Sequence, residues 1–285
     1  GHVFPGVEVA RELRRRGHQA VFVGTRRGLE SRVAPESGFP IEFVRTDALK
    51  GVALGRRLRT ILRMPGTLVE AASIVDRHGP AAVLSLGGYA AGPLALMALM
   101  CDVPLIVLEP NARPGLSNRL VGPFAAWSLL GFPGGETYFA RKRGEFSGIP
   151  IREEFFRLPP KAHRPPMTLL ITGGSQGSQS LNRALIEALP LWARQRRLGG
   201  VCFLHQTGLS EYEKVRSAYQ SQGANARVEA FFDDMPAAFG QADLLVCRAG
   251  ASAVAEAGAA GKASILVPYP FAADQHQLLN ARAAE

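Results

Sequence analysis

Residues 168–181 read Thr-Leu-Leu-Ile-Thr-Gly-Gly-Ser-Gln-Gly-Ser-Gln-Ser-Leu, and this run concentrates groups suited to holding an anion. Leu169, Leu170 and Ile171 are too few for a buried helix and, after Thr172, meet Gly173-Gly174, which predicts a central strand ending in a turn. Helical spacing resumes at Leu181, Ala184, Leu185 and Ala188. A strand passing through a glycine turn into a helix offers bare backbone N–H groups and the positive end of a helix dipole, a seat for phosphate. Ser175 and Gln176 add side-chain donors at the same place. An ordinary strand-to-helix turn, with glycines needed for backbone geometry alone, fits this one stretch equally well.

Two more stretches repeat the arrangement. Residues 81–86 form an apolar strand that runs into Gly87-Gly88-Tyr89-Ala90-Ala91-Gly92-Pro93 before an apolar helix over 94–100. Residues 244–247 form another, followed by Arg248-Ala249-Gly250-Ala251 and a helix over 252–260. A strand over 104–108 delivers Glu109-Pro110-Asn111 to its carboxyl end, where α/β sheets bind ligands. Metal chemistry finds no support: zinc spacing is absent, and Asp233-Asp234 are adjacent rather than a separated carboxylate pair. Cys101, Cys202 and Cys247 lie far apart in apolar settings, which predicts buried, reduced thiols.

The elements that must position these loops alternate along the chain. A helix over 2–16 with Pro5 in its first turn is followed by strands over 20–25 and 41–44. After a hinge at Ser147-Gly148-Ile149-Pro150 the alternation starts afresh, with strands over 168–172, 201–204, 227–230, 244–247 and 265–267. The predicted architecture is α/β, two sheets in two domains, 1–149 and 150–285. At 285 residues and 47% hydrophobic the chain is long enough for two cores.

The formal net charge is +9, and residues 1–150 carry 19 Lys/Arg against 12 Asp/Glu whereas residues 151–285 carry 14 against 12, so the first half seeks an anionic surface. Lys50, Arg56, Arg57, Arg59 and Arg63 interleave with Leu54, Leu58, Ile61 and Leu62 at helical spacing, with no acid among residues 50–63. Such a helix either lies on an anionic bilayer or packs one side on its own core. Nucleic acid is a weaker reading, since no aromatic stacking motif or recognised binding module accompanies it. The uncharged stretch 79–101 has the length of a membrane span, but Gly87, Gly88, Gly92 and Pro93 break it. No signal peptide is evident. The chain opens on Gly1-His2 and ends within an apparent helix, so both ends read as cut.

Eight segments in order resemble one family, the bacterial transferases that add N-acetylglucosamine to undecaprenyl-pyrophosphoryl-N-acetylmuramyl-pentapeptide, making lipid II from lipid I. They are residues 1–5, residues 87–93, Asn111 with Gly115-Leu116-Ser117-Asn118, residues 173–177, His205-Gln206-Thr207-Gly208, Phe232-Asp233-Asp234-Met235, residues 247–256, and residues 274–280. The resemblance implies two Rossmann-like domains facing across a cleft (the GT-B architecture), with UDP-N-acetylglucosamine on the second and the lipid-linked acceptor on the first. Gly174, Ser175 and Gln176 would then hold the diphosphate, the backbone at Phe232 the uracil, and Glu256 the ribose hydroxyls. Arg152 would lie by the nucleotide, Ala251 and Ser252 would face phosphate and sugar, and His276 and Gln277 would meet the sugar hydroxyls. Gly88, Tyr89 and Asn111 would serve the acceptor.

Without the family motif, Glu256 reads as a solvated helix residue and His276 as a surface one. With it, a carboxylate accepting two vicinal hydroxyls is chemically sensible for Glu256. Transfer needs a base for the attacking hydroxyl; His2 has a suitable intrinsic pKa, and it either takes that proton or only orients its loop. The resemblance implies no cofactor, and stabilisation of the leaving diphosphate by N–H groups and helix dipoles without metal. The implied partners are UDP-N-acetylglucosamine, the lipid-linked muramyl-pentapeptide and anionic inner-leaflet lipids under Arg56, Arg57, Leu58, Arg59, Ile61, Leu62 and Arg63. The implied location is the cytoplasmic face of the bacterial cell membrane, peripherally bound. Leu108 and Pro110 depart from the family's usual His and Gln, and Ala253 from its usual Thr. A strand before Gly1 and a returning segment after Glu285 would complete the family pattern. Two other functions fit the architecture, a UDP-N-acetylglucosamine 2-epimerase and a non-catalytic nucleotide-binding subunit; a first half resembling an acceptor domain argues against the latter.

Overall fold

The computed structural model describes residues 3–46, 54–88, 91–139 and 144–285, without the side chains of residues 54–63 and of Ala273. The chain divides into two compact units, Gly1–Pro150 and Ile151–Glu285.

Unit 1 begins with α1 (Val3–Arg15), β1 (Phe22–Gly24), α2 (Glu30–Glu36), β2 (Ile41–Phe43) and α3 (Leu54–His78). It continues through β3 (Val83–Ser85), α4 (Ala91–Met100), β4 (Leu105–Glu109), α5 (Leu116–Val121), β5 (Trp127–Leu130) and β6 (Gly144–Phe146). Among the described residues its strands form two parallel sheets where one is expected, a pair β1-β2 and a four-stranded sheet β3-β4-β5-β6. Val83, Leu105, Val107 and Leu130 of the larger sheet pack with Ala95 and Ala98 of α4.

Two further differences from expectation concern unit 1. The basic helix predicted over 50–63 is the start of a longer one: α3 runs on past Pro65 to His78. A proline inside a helix forfeits one backbone hydrogen bond, and burial of Thr67, Ala71, Ile74 and Val75 holds the second half in place. Residues 50–53 lie outside the described residues. Strands β5 and β6 escape the sequence reading because each is short and β6, Gly-Glu-Phe, has weak strand propensity.

Unit 2 comprises β7 (Met167–Thr172), α6 (Gln179–Arg194), β8 (Val201–Gln206), α7 (Tyr212–Ser221), β9 (Ala226–Glu229), α8 (Met235–Gln241), β10 (Leu244–Cys247), α9 (Ala251–Ala259), β11 (Ser264–Leu266) and α10 (His276–Ala283). Its five strands are all parallel, in the order β11-β10-β7-β8-β9. Side chains alternate across the sheet: Leu169, Ile171, Phe203 and Val246 join one core with Val215 and Tyr219, while Leu170, Leu204 and Leu245 join another with Phe155, Phe239 and Ala257. Both faces are covered, which is why these strands read as unbroken apolar runs. At the end of the sheet opposite the β7 glycine turn, buried Asp243 takes hydrogen bonds from Lys161 and the Thr168 N–H and pairs with His163, pinning the segment that leads into β7.

The predicted apolar face of α6 needs correction. Ala184 is exposed, and the buried positions are Leu181, Asn182 and Leu189. A polar residue faces inward because its amide is used: Asn182 Nδ2 donates to Thr207 O at 2.9 Å. The cysteine expectation is corrected as well. All three are free thiols, but only Cys247 is buried; Cys101 is exposed beside the α4 terminus and Cys202 is half-buried near the start of β8.

Candidate functional site

The order of strands in unit 2 locates the site. After β7 the chain adds β8 and β9 on one side, then returns to add β10 and β11 on the other. Such a reversal leaves a crevice beyond the carboxyl ends of the two central strands, because the connections that follow them diverge. Thr172 and Cys247 pair in register at those ends, so the Gly173-Gly174 turn and the Arg248-Gly250 turn leave the sheet side by side.

Gly174 sits at φ +85, and no atom lies within 4 Å of where a Cβ would stand. Its N–H reaches Thr172 Oγ1 at 3.2 Å, and Ser175 and Gln176 form an exposed turn. Gly177 closes this turn by donating to Gly174 O at 3.0 Å. A Cβ on Gly177 would stand 1.9 Å from Thr207 O, so only glycine lets the turns after β7 and β8 touch backbone to backbone. Ser178 then caps α6, its hydroxyl accepting from the Leu181 N–H. On the other side, α9 starts at Ala251 with Gly250, which has no side chain to cap it, as its N-cap. Ala251 is buried and Ser252 half-buried at that positive helix end.

Arg248 is the organising side chain that sequence reasoning missed. Its guanidinium donates through Nε to Ser178 Oγ at 3.0 Å, through Nη2 to Ser180 Oγ, and through Nη1 to the carbonyls of Val267 at 3.2 Å and Pro268 at 3.1 Å. It also lies 5.5 Å from the Tyr269 ring centroid. The rigid fork of an arginine suits this three-way tie between the turns after β7, β10 and β11. A basic residue directly after an apolar strand was the available signal.

Glu256 lies on α9. Burial lifts its carboxyl to about 7, opposed by the Arg152 guanidinium, and no described residue hydrogen-bonds that carboxyl. Arg152 itself rests 5.1 Å from the Phe155 ring. Phe232 is buried, and its N–H donates to Gln206 Oε1 at 2.9 Å. The expectation of a backbone site at Phe232 therefore narrows to its carbonyl, which accepts from no described residue. Beside it is a cavity of about 280 Å³ lined by Arg227, Phe231, Phe232, Asp233, Asp234 and Gln241, among others. His276 and Gln277 open α10 after two left-handed residues, Asp274 and Gln275. Gln277 Oε1 accepts from the Tyr269 N–H at 2.8 Å, leaving its NH2 to donate. Among the described residues no three His, Cys, Asp or Glu side chains are grouped to hold a metal ion.

In unit 1, Gly88 is exposed at φ +82 with open space before it. Glu109, buried at the carboxyl end of β4, accepts from the Asn111 N–H at 3.0 Å, Asn111 Nδ2 at 3.2 Å, the Gly115 N–H at 3.0 Å and Asn118 Nδ2 at 2.9 Å. Fully buried Asn118 also accepts from Ser85 Oγ at 3.2 Å, bridging the ends of β3 and β4. Asn111 is thus held in place by Glu109. Leu108 faces the core of unit 1 and is 1% exposed, so this departure from the family residue fills core space. His2 and Tyr89 lie outside the described residues, as do the side chains of Arg56, Arg57, Leu58, Arg59, Ile61, Leu62 and Arg63.

Comparison with known proteins agrees with this geometry. Residues 1–128 match the glycosyltransferase family 28 N-terminal domain and residues 168–285 its C-terminal domain. The chain is 46% identical over 286 residues to the UDP-N-acetylglucosamine–N-acetylmuramyl-(pentapeptide) pyrophosphoryl-undecaprenol N-acetylglucosamine transferase of Solibacter usitatus, covering 100% of this chain and 78% of that protein. It is 40% identical to the enzyme of the same name from Syntrophus aciditrophicus, covering 99% and 79%. Among solved structures, Acinetobacter baumannii MurG superposes with a TM-score of 0.77 at 30% identity, covering 99% of this chain and 79% of that one. A UDP-GlcNAc 2-epimerase from Neisseria meningitidis superposes with a TM-score of 0.63 at 13% identity, covering 93% and 80%, a likeness of fold alone.

Proposed function

The chain belongs to the family of UDP-N-acetylglucosamine–N-acetylmuramyl-(pentapeptide) pyrophosphoryl-undecaprenol N-acetylglucosamine transferases, and from that membership we infer that it moves N-acetylglucosamine from UDP-N-acetylglucosamine to lipid I, forming lipid II in peptidoglycan synthesis. The observation that carries this reading is the switch point of unit 2, where an open glycine turn and a helix N-terminus with glycine as its cap flank the ends of β7 and β10.

In this reading the turn at Gly174, through the N–H groups of Ser175 and Gln176, and the start of α9 at Ala251 and Ser252 receive the diphosphate, whose charge grows as UDP leaves. Glu256 accepts from the ribose hydroxyls, and Arg152 sits beside the nucleotide. The Phe232 carbonyl takes the uracil N3–H. His276 and the Gln277 NH2 meet the hydroxyls of the transferred sugar. The acceptor hydroxyl attacks the anomeric carbon from the face opposite the leaving oxygen, so the bond to UDP breaks as the new glycosidic bond forms and the configuration inverts. Its proton passes to a base, a role assigned to His2. Gly88, Tyr89 and Asn111 serve the acceptor, with Glu109 holding Asn111.

Membrane docking belongs to the same proposal. No described helix is long and apolar enough to cross a membrane. Arg56, Arg57, Arg59 and Arg63 on α3 supply charge for anionic inner-leaflet lipids, with Leu58, Ile61 and Leu62 beside them, and each basic group near such a surface contributes roughly 1 kcal/mol. Met64 and Val69, further along α3, are exposed apolar side chains.

The test is transfer of radiolabelled N-acetylglucosamine from its UDP donor to a lipid I analogue. Label in the lipid fraction, dependent on acceptor, is expected. Epimerised UDP-sugar formed without acceptor would replace this reading with the epimerase.

A further inference from the structure

Gln206, the last residue of β8, is 1% exposed. Its side-chain amide nevertheless has polar partners on both ends. Nε2 donates to Gly174 O at 3.0 Å and to Thr172 Oγ1 at 3.3 Å, while Oε1 accepts from the Phe232 N–H at 2.9 Å. The orientation of the amide is fixed by chemistry, since a carbonyl oxygen can only accept and an N–H can only donate. Thr172 Oγ1 also receives the Gly174 N–H, so the glycine's two backbone polar groups are held by one small network.

One buried side chain therefore spans the two parts of a nucleotide site that lie 58 residues apart in sequence, the glycine turn at 174 and the backbone at 232. Resting on the nucleotide-sugar reading above, we propose that Gln206 is a positioning residue that sets diphosphate affinity and uracil selectivity together. It holds the Gly174 carbonyl inward, which leaves the opposite edge of the turn to present N–H groups to the anion. It also ties up the Phe232 N–H, so that position 232 offers a base only an acceptor. An acceptor reads the N3–H of uracil and rejects cytosine, whose N3 is itself an acceptor. The selectivity arises because the donor that cytosine would need is already spent.

Two substitutions separate the halves of this role. In Gln206→Glu one carboxylate oxygen still accepts from the Phe232 N–H, but the other meets the Gly174 carbonyl with no proton between them. UDP affinity is expected to fall roughly tenfold while uridine affinity and the UDP-to-CDP preference stay as in wild type, a change equivalent to one hydrogen bond. In Gln206→Leu the Phe232 N–H is released as well, and the UDP-to-CDP preference is expected to fall roughly tenfold in addition. Calorimetric titration of the whole chain with UDP, CDP and uridine reads both effects, with thermal unfolding confirming that each variant folds. Should Gln206→Leu not fold, the split between UDP and uridine in the near-isosteric Gln206→Glu carries the test. Unchanged UDP affinity and preference in the folded variants, or an equal loss for all three ligands, would overturn the proposal. Wild-type protein that binds none of them would instead remove the nucleotide-sugar reading itself.

Discussion

At the scale of single residues, burial decides what each ionisable group can do. Glu256 is the instructive case. Raised to about 7 by burial, with Arg152 opposing, its carboxyl binds more protons in the folded protein than in the unfolded chain between its ordinary value of 4.5 and 7. The free protein therefore loses stability as pH rises through about 7, when a poorly solvated charge appears. Ribose hydroxyls donating to that charge would relieve the cost. The rise in melting temperature produced by UDP is accordingly expected to be larger at pH 8 than at pH 6, and Glu256→Ala to weaken UDP binding by about tenfold or more. Equal shifts at both pH values, or unaltered affinity in the alanine variant, would take Glu256 out of the site.

His205 shows the reverse sign. Fully buried, it is drawn down to about 4 by desolvation. Asn182 Nδ2 is committed to Thr207 O, so the Asn182 oxygen must accept from His205 Nε2–H, and the bare Nδ1 then accepts from the Tyr219 hydroxyl. A neutral imidazole is built into the network. Its contribution is complete above the unfolded value of 6.5 and is lost as pH falls through about 4, a swing of about 3 kcal/mol. In denaturant melts from pH 7 to pH 4, His205→Gln is expected to show a shallower loss of stability than wild type.

At the scale of elements, unit 2 is held together at its strand ends by contacts between turns. Gly177 presses on the Thr207 carbonyl, and Arg248 gathers three turns. Gly177→Ala should push the turn after β7 away from the turn after β8. An affinity loss for UDP out of proportion to any fall in melting temperature is the expected result; a variant that melts like wild type and binds UDP normally would show that the two turns do not need each other. Arg248→Lys keeps the charge but cannot reach Ser178, Ser180 and the two carbonyls at once, so it is expected to lose at least one hydrogen bond, roughly 1 to 3 kcal/mol of stability. Chemical denaturation measures it directly.

For the whole molecule, the charge difference between halves matters most. Residues 1–150 carry +7 (19 less 12) and residues 151–285 carry +2 (14 less 12), which supports the half that contains α3 as the seat of the proposed docking on an anionic surface. Neutralising Arg56, Arg57, Arg59 and Arg63 together is expected to release the protein from vesicles containing anionic lipid at moderate salt, while leaving UDP binding intact. Vesicle binding that survives the change would move the docking face elsewhere.

What could be read from the chain alone was whatever depends on neighbours in sequence. Apolar runs marked the central strands β7 and β10, glycine pairs marked the turns that follow them, and Gly250 before an alanine-rich helix marked α9, because strand period, turn geometry and capping are local matters. The order in which those segments recur carried the resemblance to the transferase family. Tertiary structure alone decided the rest. That β7 lies between β8 and the later strand β10, and so makes a crevice, follows from packing across about 70 residues of intervening chain. That the Phe232 N–H is spent, that Glu256 sits where water cannot fully solvate it, and that Gln206 and Arg248 join turns distant in sequence all come from hydrogen bonds and burial with no sequence period. A buried polar side chain is placed by the partners that satisfy it, and those partners exist only once the chain has folded.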